Sequence, residues 1–266
     1  EIAKQKGLAV VAGTQRRHQA GYQRIKYALE RGAIGEIAGG AVWWCGGALW
    51  YKTKDPNESD ADYMVRNWVS FTEMSGDHIV EQHVHNLDVA NWYIGRTPTS
   101  ALGFGGRARR KTGNQFDFFS LDLDYGDGLR IHSMCRQING TDGGVREFFR
   151  GTQGETWGGG GLKAAKEIEV PEFPDRNPYV QEHVNLLQSI MTGNPINEAH
   201  NVATSTLTAI MGRIAAYTGK LVRWKDVVEN ESSPYYNLTL KPSAEDFEKG
   251  EVVAPLDDIA AVPGKD

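Results

Sequence analysis

Asp77-His78-Ile79-Val80-Glu81-Gln82-His83-Val84-His85-Asn86-Leu87-Asp88-Val89-Ala90-Asn91-Trp92-Tyr93-Ile94, entered through Met74-Ser75-Gly76, is the stretch on which the reading of the chain turns. It reads as one helix, with Asp77 in the N-cap region and Gly95 as the stop. At about 100° per residue, Val80, Val84, Leu87, Asn91 and Ile94 share one face. Glu81, His85, Asp88 and Trp92 fall together on the opposite side. An imidazole with a carboxylate one turn before it and another one turn after it is a usable proton-transfer unit. The same spacing also describes an ordinary polar helix face laced with salt bridges. His78, Glu81 and His85 lie within about 60° of one another as well, an arrangement that could hold a divalent metal in a hydrolase. No HExxH motif or second ligand cluster accompanies them.

The flanking sequence supplies a sheet. Ile37 to Trp50 reads as a long strand, after a helix at 21–31 with Ile25, Ala28 and Leu29 inward. Its Trp43, Trp44 and Trp50 read as core or an oligomer face. Ala101 to Arg110, Phe116 to Tyr125, Leu129 to Ile138 and Val145 to Gly151 read as further strands. Alternation places Phe119, Leu121, Leu123 and Tyr125 on one face, and Gly126-Asp127-Gly128 signals a hairpin. Adjacent strands joined by short turns predict an α+β fold: an open, mostly antiparallel sheet with helices on one face. Lys52 to Asp62 reads as a loop. Just beyond it, Asn67 and Trp68 are candidates for hydroxyl contact and ring stacking, with Trp68 equally readable as packing beneath the helix. Gly158 to Gly161 lacks the Lys and Ser/Thr of a phosphate loop and reads as flexible. Helices follow at 179–192 and 201–218, and the chain beyond Trp224 reads as a surface tail.

Bulk properties narrow the function. The formal net charge of -5 over 266 residues is not a nucleic-acid footprint, which needs a basic face. No apolar run approaches the roughly 20 residues of a membrane helix. Cys45 and Cys135 do not make a disulfide framework and read as buried thiols. Leu8 to Gly13 reads as a short buried strand followed by Thr14-Gln15-Arg16-Arg17-His18. Three basic side chains directly after a strand end stand where α/β proteins bind ligands. Cations at a helix N-terminus oppose its dipole, so they are expected to have another use, unless they merely cap.

Gly76, Glu81, His85 and Asp88 together resemble the signature helix of the Gfo/Idh/MocA family of NAD(P)-dependent sugar and cyclitol oxidoreductases. Glu81 stands where Asp is usual, and His83 where Gly is usual. The Gly-x-Ile-Gly-Glu-Ile step at 32–37 is also similar, and Gly13 to His18 resembles a secreted or periplasmic bacterial subgroup. The resemblance implies that His85 takes or returns a hydroxyl proton and that Glu81 orients it or shares the proton. It implies a substrate pocket lined by Arg16, Arg17, His18 and Tyr22, with His83 and Asp88 nearby. It implies residues 1–14 as the remnant of an N-terminal Rossmann-type domain, 15–228 as the catalytic and oligomerisation domain, and 229–266 as a wrapping tail. NAD or NADP would be bound mainly upstream, since neither a glycine fingerprint nor a Glu-Lys-Pro motif is present. Cofactor-binding residues within the chain are left unassigned. Some relatives cleave glycosides by oxidation, elimination and reduction, which is the alternative activity. The expected partners are a small carbohydrate and a second copy of the chain. Adjacent aromatic residues, Trp43 with Trp44 and Phe118 with Phe119, put apolar side chains on both sheet faces, so the helix-free face is expected to build a homodimer or homotetramer.

Overall fold

The computed structural model describes residues 1–238, 241–257 and 259–265. Eight strands form one sheet: β1 (Ile37–Gly46), β2 (Ser100–Gly106), β3 (Phe118–Asp124), β4 (Arg130–Gln137), β5 (Gly144–Gly151), β6 (Gly154–Trp157), β7 (Gly161–Lys163) and β8 (Val222–Arg223). Their order is β7-β6-β5-β1-β4-β3-β2-β8. All neighbours are antiparallel except β1 and β4, which run parallel from Gly39↔Arg130 to Gly46↔Gln137. The α+β architecture is the one read from the strand pattern.

Alternation explains the core. Phe119, Leu121 and Leu123 of β3 and Ile131 and Cys135 of β4 are buried on one face. Full burial of such a side chain stabilises by about 1.5–3 kcal/mol relative to exposure. Onto this face pack the helix Val84–Ile94 and the long helix Ala199–Thr218. Gly212 sets how near the long helix comes: a Cβ there would stand 2.5 Å from Leu121 Cδ1. The other face carries Trp43, Phe118, Met134, Phe148 and Trp157 among charged residues, with Leu102 and Phe104 exposed at the β2 side.

Several elements differ from expectation for identifiable reasons. β2 stops at Gly106, not Arg110, because the buried Asp117 carboxylate gathers the amides of Ala108, Arg109 and Arg110 at 2.7–2.8 Å. β1 ends at Gly46, and Trp50 lies beyond it, edge-on to Trp68 at 5.9 Å. The 8–13 segment is not a strand: a strand exists by pairing, and here pairing is one bridge, Val10 to Asn197. Helix Pro178–Met191 buries Gln181, Glu182 and Ser189 and exposes Leu187, Ile190 and Met191. The tail contains helices Trp224–Val228 and Ala244–Lys249. Asp257 pins it by accepting from Gly113 N (2.6 Å) and Tyr51 Oη (2.7 Å). Of that tail, Thr239, Leu240, Asp258 and Asp266 lie outside the described residues.

Gly212→Val should overpack the helix–sheet contact and cost about 1–3 kcal/mol of unfolding free energy. Denaturant titration showing wild-type stability would mean that this glycine does not set the spacing.

Candidate active site

The central helix is broken, and the break rearranges its faces. Gly76 and Asp77 both take φ 73°, and a short helix His78–Glu81 follows. Gln82 and His83 form a turn before the helix resumes at Val84. A non-glycine residue at such a φ persists only where its surroundings hold it. Asp77 is held by Arg213 Nε (2.7 Å), Tyr217 Oη (2.8 Å) and Phe116 N (3.2 Å), all donating to its carboxylate. The break lets two histidines turn into the sheet. His78 Nε2 lies 3.2 Å from the Trp44 carbonyl, and His83 Nε2 lies 2.8 Å from Ser133 Oγ. Burial pushes the His78 pKa down to about 4 and that of His83 well below the ordinary histidine range. His83 is therefore a core residue rather than a substrate contact. His78 does not converge with Glu81 and His85, and no group of three or more His, Cys, Asp or Glu side chains that could hold a metal occurs among the described residues.

The resumed helix is buried nearly all round, so the expected exposed polar face does not exist. Asp88 is 1% exposed and is used internally: Arg17 donates to it at 2.9–3.2 Å and Ser205 Oγ at 2.7 Å. Asn91 donates to Thr208 Oγ1 (3.0 Å) and accepts from Tyr125 Oη (2.8 Å).

The basic turn also faces inward. Gln15–His18 is a 3₁₀ helix. At three residues per turn its consecutive side chains fan out by about 120°. Each reaches a different carboxylate: Arg16 pairs with Glu147 of β5, Arg17 with Asp88, and His18 with Glu198 at 3.0 Å. Asn185 adds a 2.8 Å contact to His18 Nδ1, and Ala12 N donates to Glu198 Oε2 (3.1 Å). Tyr22 donates to Glu147 Oε2 at 3.0 Å. Its ring lies against Gly159, where a Cβ would come within 2.5 Å. The glycine run is thus the packed corner of the β6–β7 hairpin, not a flexible loop. Arg16, Arg17, His18 and Tyr22 tie elements together, and of the four Arg17 also lines a surface pocket, with Trp92, Asn91 and Ser205. Asn67 is fully buried, with its amide committed to Lys52 and Tyr63, while Trp68 is partly exposed against Trp50. Among the described residues neither hydrogen-bonds to nor stacks on His85 or Glu81.

Two groups remain open. The His85 ring is half-buried and stacked on Trp44, with centroids 5.9 Å apart at 28°. Its Nδ1 is buried without a protein partner. Burial first, then the Arg16 charge, pushes its pKa down to about 4, against the pull of Asp88, so the ring is neutral at pH 7. Glu81 is half-buried and its Oε2 is likewise unpartnered. Burial raises its pKa to about 7, with Arg110 opposing. No hydrogen bond joins Glu81 to His85 among the described residues. They are a neutral base and a carboxyl whose pKa burial raises, with no direct hydrogen bond between them. Such groups suit proton transfer at neutral pH. Sequence reasoning missed Glu147, Asn86 and the role of Trp44. An acid on the same parity as the core residue Phe149 was the available signal for Glu147.

Residues 22–156, half of the chain, match the model of the GFO/IDH/MocA C-terminal domain. The fold is similar to aldose-aldose oxidoreductase from Caulobacter crescentus (TM-score 0.62, 16% identity, covering 83% of this chain and 65% of that one). It is similar to scyllo-inositol dehydrogenase from Lactobacillus casei (0.58, 15%, 84% and 65%). It is also similar to an oxidoreductase from Agrobacterium radiobacter in complex with NAD+, L-tartaric acid and magnesium (0.56, 19%, 83% and 66%). The chain spans about two thirds of the length of these structures. No curated protein matches it.

Arg17→Met should leave Asp88 buried and unpaired and cost about 3–5 kcal/mol of stability. A loss below about 1 kcal/mol in chemical denaturation, the usual worth of a surface pair, would show that the pair does not hold the turn.

Proposed function

The chain belongs to the Gfo/Idh/MocA family, and on that premise we propose that it is the substrate-binding and proton-transferring part of an NAD(P)-dependent oxidoreductase acting on a hydroxyl or keto group of a sugar, glycoside or cyclitol. The observation that carries this reading is the neutral, half-buried imidazole of His85, stacked on Trp44 with unused bonding capacity. A neutral imidazole can accept the proton that a hydroxyl loses on oxidation and return it on reduction. Glu81, near half-ionisation at pH 7, relays or stores a proton beside the same site. The flat face of Trp44 beside His85 suits the apolar face of a sugar ring. In such a reaction the nicotinamide takes up the hydride. Among the described residues no strand, glycine turn and helix form a dinucleotide cradle. What these residues supply is the proton path and the wall of the substrate site.

The helix-free sheet face supports assembly. Trp43, Phe118, Met134, Phe148 and Trp157 share it with Leu102 and Phe104, the last two well exposed. Exposed apolar residues of this kind, set among charges on a face without helices, fit a two-fold contact with a second copy. Light scattering at micromolar concentration should report a dimer or larger, and a monomer would refute this.

In the full-length enzyme His85→Asn should lower turnover by about 10²–10⁴ with NAD(P) and the preferred sugar or cyclitol, the usual share of a general acid–base group. Near-wild-type turnover would remove His85 from the mechanism. Oxidation should accelerate as pH rises through about 7, where Glu81 ionises. Glu81→Gln should flatten that limb, and a limb left unchanged by the substitution would assign it elsewhere. The same titration bears on stability. The folded pKa of Glu81 lies above its unfolded value of 4.5, so the folded state holds more protons between the two. Its contribution is present below the unfolded pKa and is lost as pH rises through about 7. Glu81→Gln should therefore gain relative stability toward alkaline pH, read by unfolding at pH 5 and pH 8.

A further inference from the structure

Glu147, next to this site, is buried as deeply as Asp88, at 1% exposure. A carboxylate buried to that degree is held as an anion only by close donors. Three reach it: the Arg16 guanidinium, Tyr22 Oη (3.0 Å) and Asn86 Nδ2 (2.8 Å). Burial raises its pKa and the three donors oppose the rise. Two of them lead to His85. Asn86 follows His85 in the chain, and its amide also lies 3.3 Å from the carbonyls of Trp43 and Arg146. That contact fixes the first turn of the helix to β1 and β5. The Arg16 guanidinium carbon lies 5.8 Å from the centroid of the Trp44 ring, on which His85 stacks.

We propose that Glu147 is a positioning residue for the His85 site, holding Asn86 against the sheet and the Arg16 charge against Trp44, so that ring and cation keep one arrangement. This rests on reading His85 as the proton-transfer group. Glu147 touches no reacting atom and acts through its two donors. The charged groups around His85 are Arg16 from the 3₁₀ turn, Asp88 from its own helix, already matched by Arg17, and Glu147 behind Arg16. When Glu147 loses its charge, Arg16 loses the anion that compensates its burial, and only the rings of Tyr22 and Trp44 remain to hold it. It leaves Trp44, water reaches the imidazole, and both changes favour protonation of the ring.

The test is a histidine titration by NMR on the chain carrying ring-13C histidine, with His85 assigned from His85→Asn. In the wild-type chain the His85 midpoint should lie near 4. In Glu147→Gln it should rise by about one pH unit or more, and the ring-current shift from Trp44 should shrink. A purely structural Glu147 would lower the thermal midpoint and leave the His85 titration in place, and that result overturns the proposal. If the single variant does not fold, Glu147→Asp keeps the charge but shortens its reach to Asn86 and Arg16. A smaller rise supports the proposal there, and an unmoved midpoint overturns it. This readout is independent of turnover. A His85 whose replacement leaves the enzyme active, yet whose titration still moves with Glu147, would sink the reading of His85 as the proton carrier and keep the positioning role.

Discussion

One turn of 3₁₀ helix holds three parts of the molecule in register. Arg16, Arg17 and His18 leave it in three directions and end on Glu147, Asp88 and Glu198, which belong to β5, to the central helix and to the N-terminus of the long helix. Glu147 and Asp88 are almost wholly buried, so their charges are tolerable only while the guanidiniums stay in place. The arrangement is costly to break and specific in geometry, because each of the three side chains meets a different carboxylate. The orientation of β5 against the two helices follows from it.

Around that constraint the protein is apolar on one sheet face and mixed on the other. Neutral histidines belong to the apolar part. His78 and His83 bond to Trp44 and Ser133, and burial keeps their charge off. The break at Gln82 and His83 accompanies their inward turn. The break sets Glu81 and His85 on separate helical pieces with different neighbours. Arg110 acts on the first, and Arg16 and Asp88 on the second. Environment, rather than mutual hydrogen bonding, gives the two groups their different protonation states at pH 7.

Much of the fold was legible in the chain. Period-two alternation marked Phe119, Leu121, Leu123 and Tyr125 as the inner face of a strand, and all four are buried there. Gly126-Asp127-Gly128 marked its hairpin, and Gly95 marked the helix end with φ 83°. Such signals are local: they depend on residues within a few positions of one another. The candidate site was half legible. His85 and Glu81, read as the proton-transfer groups, are half-buried and each keeps an atom without a protein partner. Asp88, His83, Asn67 and the basic turn were read as facing a ligand, and they face the core.

The sequence by itself determined which segments alternate, where they turn, and that an imidazole and a carboxyl stand four residues apart in the central stretch. Only the tertiary structure decided which charges are spent. Arg16 meets Glu147 across 131 residues and Arg17 meets Asp88 across 71, distances over which no periodicity carries information. The parallel neighbours β1 and β4 are likewise separated in the chain by two strands and the central helix. Whether a charged side chain binds a substrate or a carboxylate of its own protein depends on what burial brings beside it, because an unpaired charge is not stable away from water. That pairing is a property of the packed chain.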